Sequence, residues 1–220
     1  RIMEMFLMRR SLDIEISTAR FANVAFSDGS LLHGFNQRIE KNQPIVAPSD
    51  IKRYFITSKE SGELCLMSCI FGNNRDIFFP KLSKELHLMS FADIAATYLI
   101  DRGYEPYLCK DESEARLLSK SLPKEGKWPC FFSSSDTTGE KDFEEFYTGD
   151  EALNMDRFEN LGVIKNEAIF NEELLNNFEN KIRKLKTNLS WTKNDLVKQF
   201  IKFIPAFKHQ ETNKYLDSKM

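Results

Sequence analysis

One stretch of this sequence decides the fold: Ile16-Ser17-Thr18-Ala19-Arg20-Phe21-Ala22-Asn23-Val24, followed by the turn Ser27-Asp28-Gly29-Ser30. Its nearly continuous apolar end predicts a buried β-strand over residues 14–24. A helical pattern over residues 30–43 starts directly after the glycine turn. Because open α/β sheets bind ligands at the carboxyl ends of their strands, the end of this strand is the first place to expect a site.

Strands and helices alternate along the rest of the chain. Extended segments are predicted at 44–46, 53–56, 76–80 and 104–108, and helices at 1–11, 58–72, 90–103, 111–122, 171–187 and 192–203. Ser58, Ser90 and Thr192 are the predicted N-caps of three of these helices. This alternation predicts an α/β fold.

Composition excludes several classes of protein. The 220 residues are 41% hydrophobic and 29% charged, as in ordinary globular proteins of one large or two small domains. The net charge of −2 gives no electrostatic reason to expect nucleic acid or an anionic membrane as partner. No apolar run reaches the ~18 residues of a membrane helix.

The cysteines and histidines do not form a metal-binding pattern. Cys65 and Cys69 share one face of a predicted helix, and Cys109 and Cys130 lie far from them in the sequence. The three histidines are scattered, and a zinc site would need two further ligands at suitable spacing. We therefore expect reduced, structural thiols and no metal, which fits the cytoplasm.

Three polar residues are candidates for ligand contacts. Asn23 ends the predicted strand, where it is either a turn residue or an amide that binds a ligand. Ser30 begins a helix, where it is a cap, a contact to a phosphate, or both. Arg53 is either an ordinary surface charge or a forked donor to phosphate oxygens.

These segments resemble the UDP-N-acetylglucosamine 4,6-dehydratases, which are extended short-chain dehydrogenase/reductases. The likeness runs from Arg1 to about Lys165 and rests on four motifs. They are Ala19-Arg20-Phe21-Ala22-Asn23-Val24 with Gly29-Ser30, Lys52-Arg53-Tyr54-Phe55 after Pro44-Ile45, Phe78-Phe79-Pro80-Lys81, and Gly139-Glu140-Lys141-x-x-Glu144-Glu145. The C-terminal part looks like the branch for nonulosonic (legionaminic-type) acids.

The resemblance implies the C-terminal part of an extended Rossmann-type fold, with a substrate-binding lobe and a helical C-terminal extension. Residues 1–57 would end the dinucleotide-binding domain and start the substrate lobe. Residues 58–165 would complete the Rossmann part and the lobe, and 166–220 would form the extension.

The implied activity is that of a lyase that uses NAD rather than NADP to dehydrate a nucleotide-linked N-acetylglucosamine in surface polysaccharide biosynthesis. The substrate contacts implied by the family are Asn23, Ser30, Arg53, Lys81, Glu140 and Lys141. Phe21 and Ala22 would offer backbone groups near the nicotinamide. The expected protein is cytoplasmic and a homo-oligomer at full length, with no nucleic acid or membrane as partner.

In the family, the catalytic Tyr-x-x-x-Lys motif lies just before the position of Arg1. We therefore expect this chain to be the C-terminal part of a longer protein, with no catalytic residue of its own. The strand at 16–24 would then have an unpaired edge, and the helix at 1–8 would lack its packing partner.

Other functions remain open at this stage. A nucleotide-sugar epimerase uses the same scaffold, and a non-catalytic α/β binding module would share the fold signal. The sequence also leaves open UDP or GDP as the nucleotide, and inversion or retention at C5.

Overall fold

The computed structural model describes residues 1–81, 88–136, 138, 145–189 and 191–214. Its helices are α1 (Ile2–Arg10), α2 (Leu31–Glu40), α3 (Ser58–Phe71), α4 (Phe91–Asp101), α5 (Glu112–Leu118), α6 (Glu172–Asn188) and α7 (Lys193–Phe203). Its strands are β1 (Thr18–Ala19), β2 (Asn23–Val24), β3 (Ile45–Pro48), β4 (Lys52–Ile56), β5 (Asp76–Pro80), β6 (Leu88–Ser90), β7 (Glu105–Leu108), β8 (Lys127–Ser133), β9 (Ala152–Asn154) and β10 (Leu161–Lys165). The predicted α/β class is confirmed.

The chain divides into two compact units. Unit 1 comprises Arg1–Arg20, Cys65–Pro80 and Tyr147–Glu211, and unit 2 comprises Phe21–Leu64, Lys81–Phe146 and Thr212–Met220. Among the described residues, unit 1 has one sheet and unit 2 has two, and each unit has its own buried side chains.

Unit 2 is built on a parallel sheet of order β3-β8-β7, with an apolar core. Trp128 is 1% exposed, and its ring lies 4.8 Å from that of Tyr104. The Trp128 Nε1 donates to the Gln43 carbonyl at 3.0 Å, so the buried indole keeps a hydrogen bond. Phe35 of α2 and Leu99 of α4 are fully buried in the same cluster.

A second sheet in unit 2 has the order β2-β4-β6. β2 pairs with β4 in parallel, and β6 pairs with β4 antiparallel. The ring of Phe55 on β4 meets that of Phe91 edge-on at 5.8 Å. This aromatic pair packs against the same core cluster, so the small sheet shares the apolar interior of unit 2.

Unit 1 contains a mixed sheet of order β1-β5-β10-β9, in which only β1 and β5 run parallel. Asp76 opens β5 with a carboxylate that is 2% exposed. It accepts from Lys165 Nζ at 2.8 Å and from Arg157 Nη1 at 3.0 Å. A buried carboxylate needs such partners, so these contacts tie β5 to β10 and to the loop before it.

A second charge cluster in unit 1 surrounds Arg20. Its guanidinium donates to both Glu4 oxygens at 2.7 Å and to Glu151 at 2.8 and 2.9 Å. Arg1 also pairs with Glu151, whose side chain is 3% exposed. The cluster fixes α1 against the residues that follow β1.

The helix at the start of the chain is covered, contrary to the prediction. Phe6 of α1 stacks on Phe203 of α7 at 6.3 Å and lies 6.4 Å from Phe178 of α6. Within the described residues, the segment 16–24 forms two short strands, β1 and β2, and each stands at one edge of its sheet. Met3 remains 75% exposed and Ile14 62% exposed.

The prediction of one continuous strand over 14–24 is wrong. β1 pairs with β5, whereas β2 pairs with β4 in another sheet. The Arg20 backbone N–H still reaches the Phe78 carbonyl at 2.7 Å, and the chain then leaves that ladder. The Arg20 side chain holds the exit point through its carboxylate partners, an anchor that periodicity does not reveal.

Three helices begin at the N-cap residues that the sequence predicted. Ser30, Ser90 and Thr192 each accept from a backbone N–H in the first turn. Ser58 is not the N-cap, because it is the first residue of α3 and the cap is the residue before it, Thr57. Thr57 Oγ1 accepts from the Glu60 N–H at 3.1 Å, and the Glu60 carboxylate accepts from the Thr57 N–H at 2.6 Å, which forms a capping box.

Candidate functional site

Unit 2 contains a cleft at the carboxyl ends of its parallel strands, which we call the strand-end cleft. Its volume is about 390 Å³, within the range of small-ligand sites. Its walls are one face of α2 with the residues on either side of it, the ends of β3 and β8, and Phe91 of α4; the lining residues are Asp28, Gly29, Ser30, Leu31, His33, Gly34, Gln37, Arg38, Lys41, Gln43, Val46, Ala47, Pro48, Phe91, Ser133, Ser134 and Ser135.

The local sequence explains why this end of the sheet is open. Gly29 has φ +74°, a conformation that turns the chain into α2 without strain. Gly34 lies on the cleft face of α2, and a Cβ placed there would meet nothing within 4 Å. Because Gly29 and Gly34 have no side chains, they leave room for a ligand on this side of the cleft.

Polar groups from α2 line one side of the cleft. Ser30 Oγ accepts from the His33 N–H at 3.1 Å and so caps the helix while lying in the cleft wall. His33 Nε2 lies 3.1 Å from Gln37 Nε2 and 3.8 Å from an Asp28 carboxylate oxygen. The Arg38 guanidinium donates to the Pro44 carbonyl at 3.2 Å. Both hydrogen-bond donors and positive charge are present.

The charge of Arg38 survives its partial burial. Burial lowers its pKa, and the charge of Arg116 lowers it further. An arginine pKa remains far above neutrality even after such a shift, so the guanidinium stays protonated. With Lys41 on the same wall, the cleft can attract a phosphate-bearing ligand.

The opposite wall comes from the loop after β8. The Ser49 N–H donates to the Ser133 carbonyl at 2.9 Å, which extends the β3–β8 ladder to the cleft. The Ser135 N–H donates to Asp50 Oδ1 at 2.8 Å, which fixes the loop. The three serines 133–135 therefore form a positioned, polar rim.

Of the described residues that the sequence predicted as ligand contacts, Ser30 lines this cleft. Asn23 and Arg53 lie on neighbouring strands instead, since Asn23 pairs with Phe55, two residues beyond Arg53. Arg53 Nη1 donates to the Lys52 carbonyl at 2.9 Å, and the side chain is half-buried. Asn23 and Arg53 thus lie on adjacent strands of one sheet.

The remaining predicted residues are placed separately. Phe21 is 43% exposed and Ala22 is 3% exposed, and both lie between the β1 and β2 ladders. Lys81 follows the last residue of β5 and is half-buried. Glu140 and Lys141 lie outside the described residues.

Several cleft residues were not selected from the sequence. His33 had no recognisable partner, and Ser133–Ser135 looked like an ordinary loop. The sequence could have indicated the cleft face of α2, because residues 30, 34, 37, 38 and 41 recur at helical spacing on one face. Ser133–Ser135 become recognisable only once β8 is known to pair with β3.

The described residues contain no group of His, Cys, Asp and Glu suited to hold a metal ion. All four cysteines are free, with Cys65 and Cys69 exposed and Cys109 and Cys130 buried. Burial raises the pKa of Cys130 to about 12. Within the same described part of the chain, no helix is both long and apolar enough to cross a membrane.

Comparisons with known proteins add a family and two relatives. A family model described as polysaccharide biosynthesis protein matches residues 1–120. An uncharacterized membrane protein of Methanocaldococcus jannaschii is 26% identical over 192 residues, covering 80% of this chain and 50% of that protein. A crystal structure of Pen from Bacillus thuringiensis has a TM-score of 0.51 and 19% identity, covering 77% of this chain and 46% of Pen. The chain therefore spans about half the length of these two relatives.

Proposed function

This chain belongs to the polysaccharide biosynthesis protein family, and from that membership we propose that it serves the 4,6-dehydration of a nucleotide-linked N-acetylglucosamine. The nucleotide would be UDP or GDP, and the product would feed surface polysaccharide or nonulosonic acid synthesis. The observation that carries the proposal is the strand-end cleft, where strand ends and the start of α2 surround a space of about 390 Å³. Ligands of open α/β sheets bind at such places.

We assign the substrate side of the reaction to this chain. Arg53 would bind the diphosphate through its forked guanidinium, and Asn23 on the adjacent strand would hydrogen-bond the sugar nucleotide. Neither residue lines the strand-end cleft, so the ligand would extend from the cleft toward β2 and β4. Ser30 would hold the start of α2 toward the same ligand. We further propose Lys81, Glu140 and Lys141 as substrate contacts, as the family resemblance implies.

The proposed cofactor is NAD. Phe21 and Ala22 fit the wall of a nicotinamide pocket, because the chain leaves the β1 ladder after Arg20 and joins the β2 ladder at Asn23. Their peptide groups therefore lie outside both ladders. When bound, NAD supplies the hydride acceptor and donor, while the protein supplies position and electrostatics.

The partners follow from the same proposal. We propose a nucleotide-sugar substrate, a homo-oligomer at full length, and no nucleic acid partner. A cytoplasmic setting fits the exposed free thiols of Cys65 and Cys69, since thiols stay reduced there.

The test uses this chain joined to its natural upstream coding sequence. The polypeptide is incubated with NAD and UDP-N-acetylglucosamine, and the sugar is analysed by mass spectrometry and NMR. Loss of one water with a 4-keto-6-deoxy signal is expected. An epimerised sugar of unchanged mass would favour the epimerase, and an unchanged sugar with both UDP and GDP would favour a binding module.

A matched pair of variants tests the role of Arg53. We expect Arg53→Ala to raise KM by roughly tenfold or more, because a charged hydrogen bond to phosphate contributes about 1.5–3 kcal/mol. Lys52→Ala removes a neighbouring exposed charge and should change KM by less than about twofold. Equal effects of the two substitutions would contradict the assignment of the diphosphate to Arg53.

A further inference from the structure

Residues 180–208 are strongly basic, although the chain as a whole is slightly acidic. From Asn180 to Lys208 there are eight lysines and arginines against one acidic residue, Asp195, whereas the chain as a whole has a net charge of −2. Local charge, rather than net charge, determines which ligands a surface attracts. This segment is therefore a candidate site for an anion.

Part of this charge surrounds a concave space between α6 and α7, which we call the α6–α7 groove. Its volume is about 480 Å³. Lys181 and Lys184 line it from α6, and Lys202 lines it from α7. Residues three apart are neighbours on a helix surface, so the two α6 ammonium groups approach the groove together.

No carboxylate among the described residues lines the groove. Arg183 is paired with Glu179 at 2.6 Å, and Lys193 is paired with Glu211. Neither Arg183 nor Lys193 lines the groove. The three groove lysines therefore create an excess of positive charge in one place.

Asp195 offsets only part of this excess. Hydrogen bonds from the Thr192 backbone N–H and hydroxyl lower the pKa of Asp195, with smaller contributions from the charges of Lys198 and Lys181. The carboxylate is held by Thr192 at 2.9 and 2.8 Å, as part of the α7 capping box. It is thus committed to the helix end.

The rest of the groove suits an organic anion. Asn177 and Gln199 add amide donors, and Phe178 provides a half-buried aromatic ring that rests on the buried ring of Phe203. The two rings lie 4.4 Å apart and belong to the packed contact between the helices, so this surface is fixed. Lysine is a point-charge binder of phosphate.

We propose that the α6–α7 groove binds a small, soluble organic diphosphate. Two phosphate groups match an excess of three positive charges, and the aromatic surface would contact the organic part. The volume and concave shape fit a small ligand rather than a flat membrane surface. This site lies wholly in unit 1 and does not depend on the proposed function of unit 2.

The test titrates the full chain with inorganic pyrophosphate, followed by calorimetry and by ¹⁵N spectra. Saturable binding is expected, with shifts concentrated on the amides of α6 and α7, and affinity should fall as salt rises. Lys184→Gln with Lys202→Gln should weaken binding about tenfold or more. Lys186→Gln with Lys198→Gln is the matched control, because it removes the same charge from residues outside the lining, and it should weaken binding less than about threefold.

Three results would overturn the proposal. They are the absence of saturation, equal weakening by the two double variants, and shifts located on α2 rather than on α6 and α7. Binding to vesicles that contain phosphatidylglycerol, without any binding of pyrophosphate, would also overturn it in favour of a membrane contact.

Discussion

The two units of this chain both bury apolar side chains, but they differ in the charges that are buried with them. In unit 2, Phe35, Leu99 and Trp128 form an apolar core beneath a parallel sheet. In unit 1, β5 and β10 also carry fully buried apolar side chains, and paired carboxylates add to them, with Asp76 bound by Lys165 and Arg157. An apolar core stabilises without fixing direction, whereas paired buried charges specify particular contacts and depend on pH.

This contrast predicts where each unit is vulnerable. Both units should lose stability when buried volume is removed, and unit 1 should in addition lose stability when a buried charge is removed. The polar groups at the strand ends of unit 2 lie outside this core, in which the Trp128 indole is bonded to Gln43 and the Tyr98 hydroxyl to Asn36.

The largest effect is expected from Trp128→Ala. Removing a fully buried indole should lower the free energy of unfolding by about 3–5 kcal/mol, measured by urea denaturation. Trp191→Ala is the control, because Trp191 is 48% exposed and should cost less than about 1 kcal/mol. Comparable losses from both substitutions would refute the apolar core of unit 2.

Asp76→Asn tests the buried charges of unit 1. The substitution leaves Lys165 and Arg157 without their carboxylate, and because both cations are partly exposed we expect a loss of about 2–3 kcal/mol rather than more. Asp156→Asn changes an exposed aspartate of the same unit and should cost less than about 0.5 kcal/mol. If Asp76→Asn were equally silent, ion pairing would not hold β5 to β10.

Glu151 should give unit 1 a dependence on acid. Burial alone would raise the pKa of Glu151, but hydrogen bonds from Arg20 and the Thr148 backbone N–H, with the charges of Arg20 and Arg1, hold it at about 2. Because this pKa lies below that of the unfolded chain, the carboxylate stabilises the fold above about pH 4.5 and loses this effect as pH falls through about 2.

The measurement compares the wild-type chain with Glu151→Gln in urea at several pH values. The difference in unfolding free energy should be about 2 kcal/mol at pH 6, after allowing for solvent screening, and should shrink toward zero near pH 2. Glu167→Gln alters an exposed glutamate and should show no such trend. A difference that stays constant with pH would contradict the assigned pKa.

The smallest effect concerns the helix start at the cleft. Ser30→Ala removes the cap of α2 and should cost about 1 kcal/mol by thermal or urea unfolding. Ser58→Ala should cost only a few tenths of that, because Thr57 rather than Ser58 caps α3. A larger loss at Ser58 than at Ser30 would restore the cap expected from the sequence.

Local signals predicted the helices and much of unit 2. The caps Ser30, Ser90 and Thr192 and the amphipathic patterns of α6 and α7 depend on neighbouring residues, so the sequence reveals them directly. The α/β alternation followed from the same signals.

Long-range pairing accounts for what the sequence did not predict. β8 is the central strand of its sheet yet contains Pro129, a residue that normally argues against a central strand. The break at Arg20 depends on Glu4 and on Glu151, which is 131 residues away in the chain. The strand-end cleft was missed for the same reason, because its serine rim exists only when β8 pairs with β3.

The most direct test of ligand binding in the strand-end cleft is a titration of this chain with UDP-N-acetylglucosamine, followed by ¹⁵N spectra and calorimetry. Gly34→Leu would fill the strand-end cleft, whereas Gly62→Leu adds the same side chain to α3, outside the cleft, and a Cβ at either position meets nothing within 4 Å. We expect weak, saturable binding by the wild-type chain and by Gly62→Leu. We expect binding by Gly34→Leu to be at least about tenfold weaker. Unchanged binding by Gly34→Leu would contradict ligand binding in the strand-end cleft.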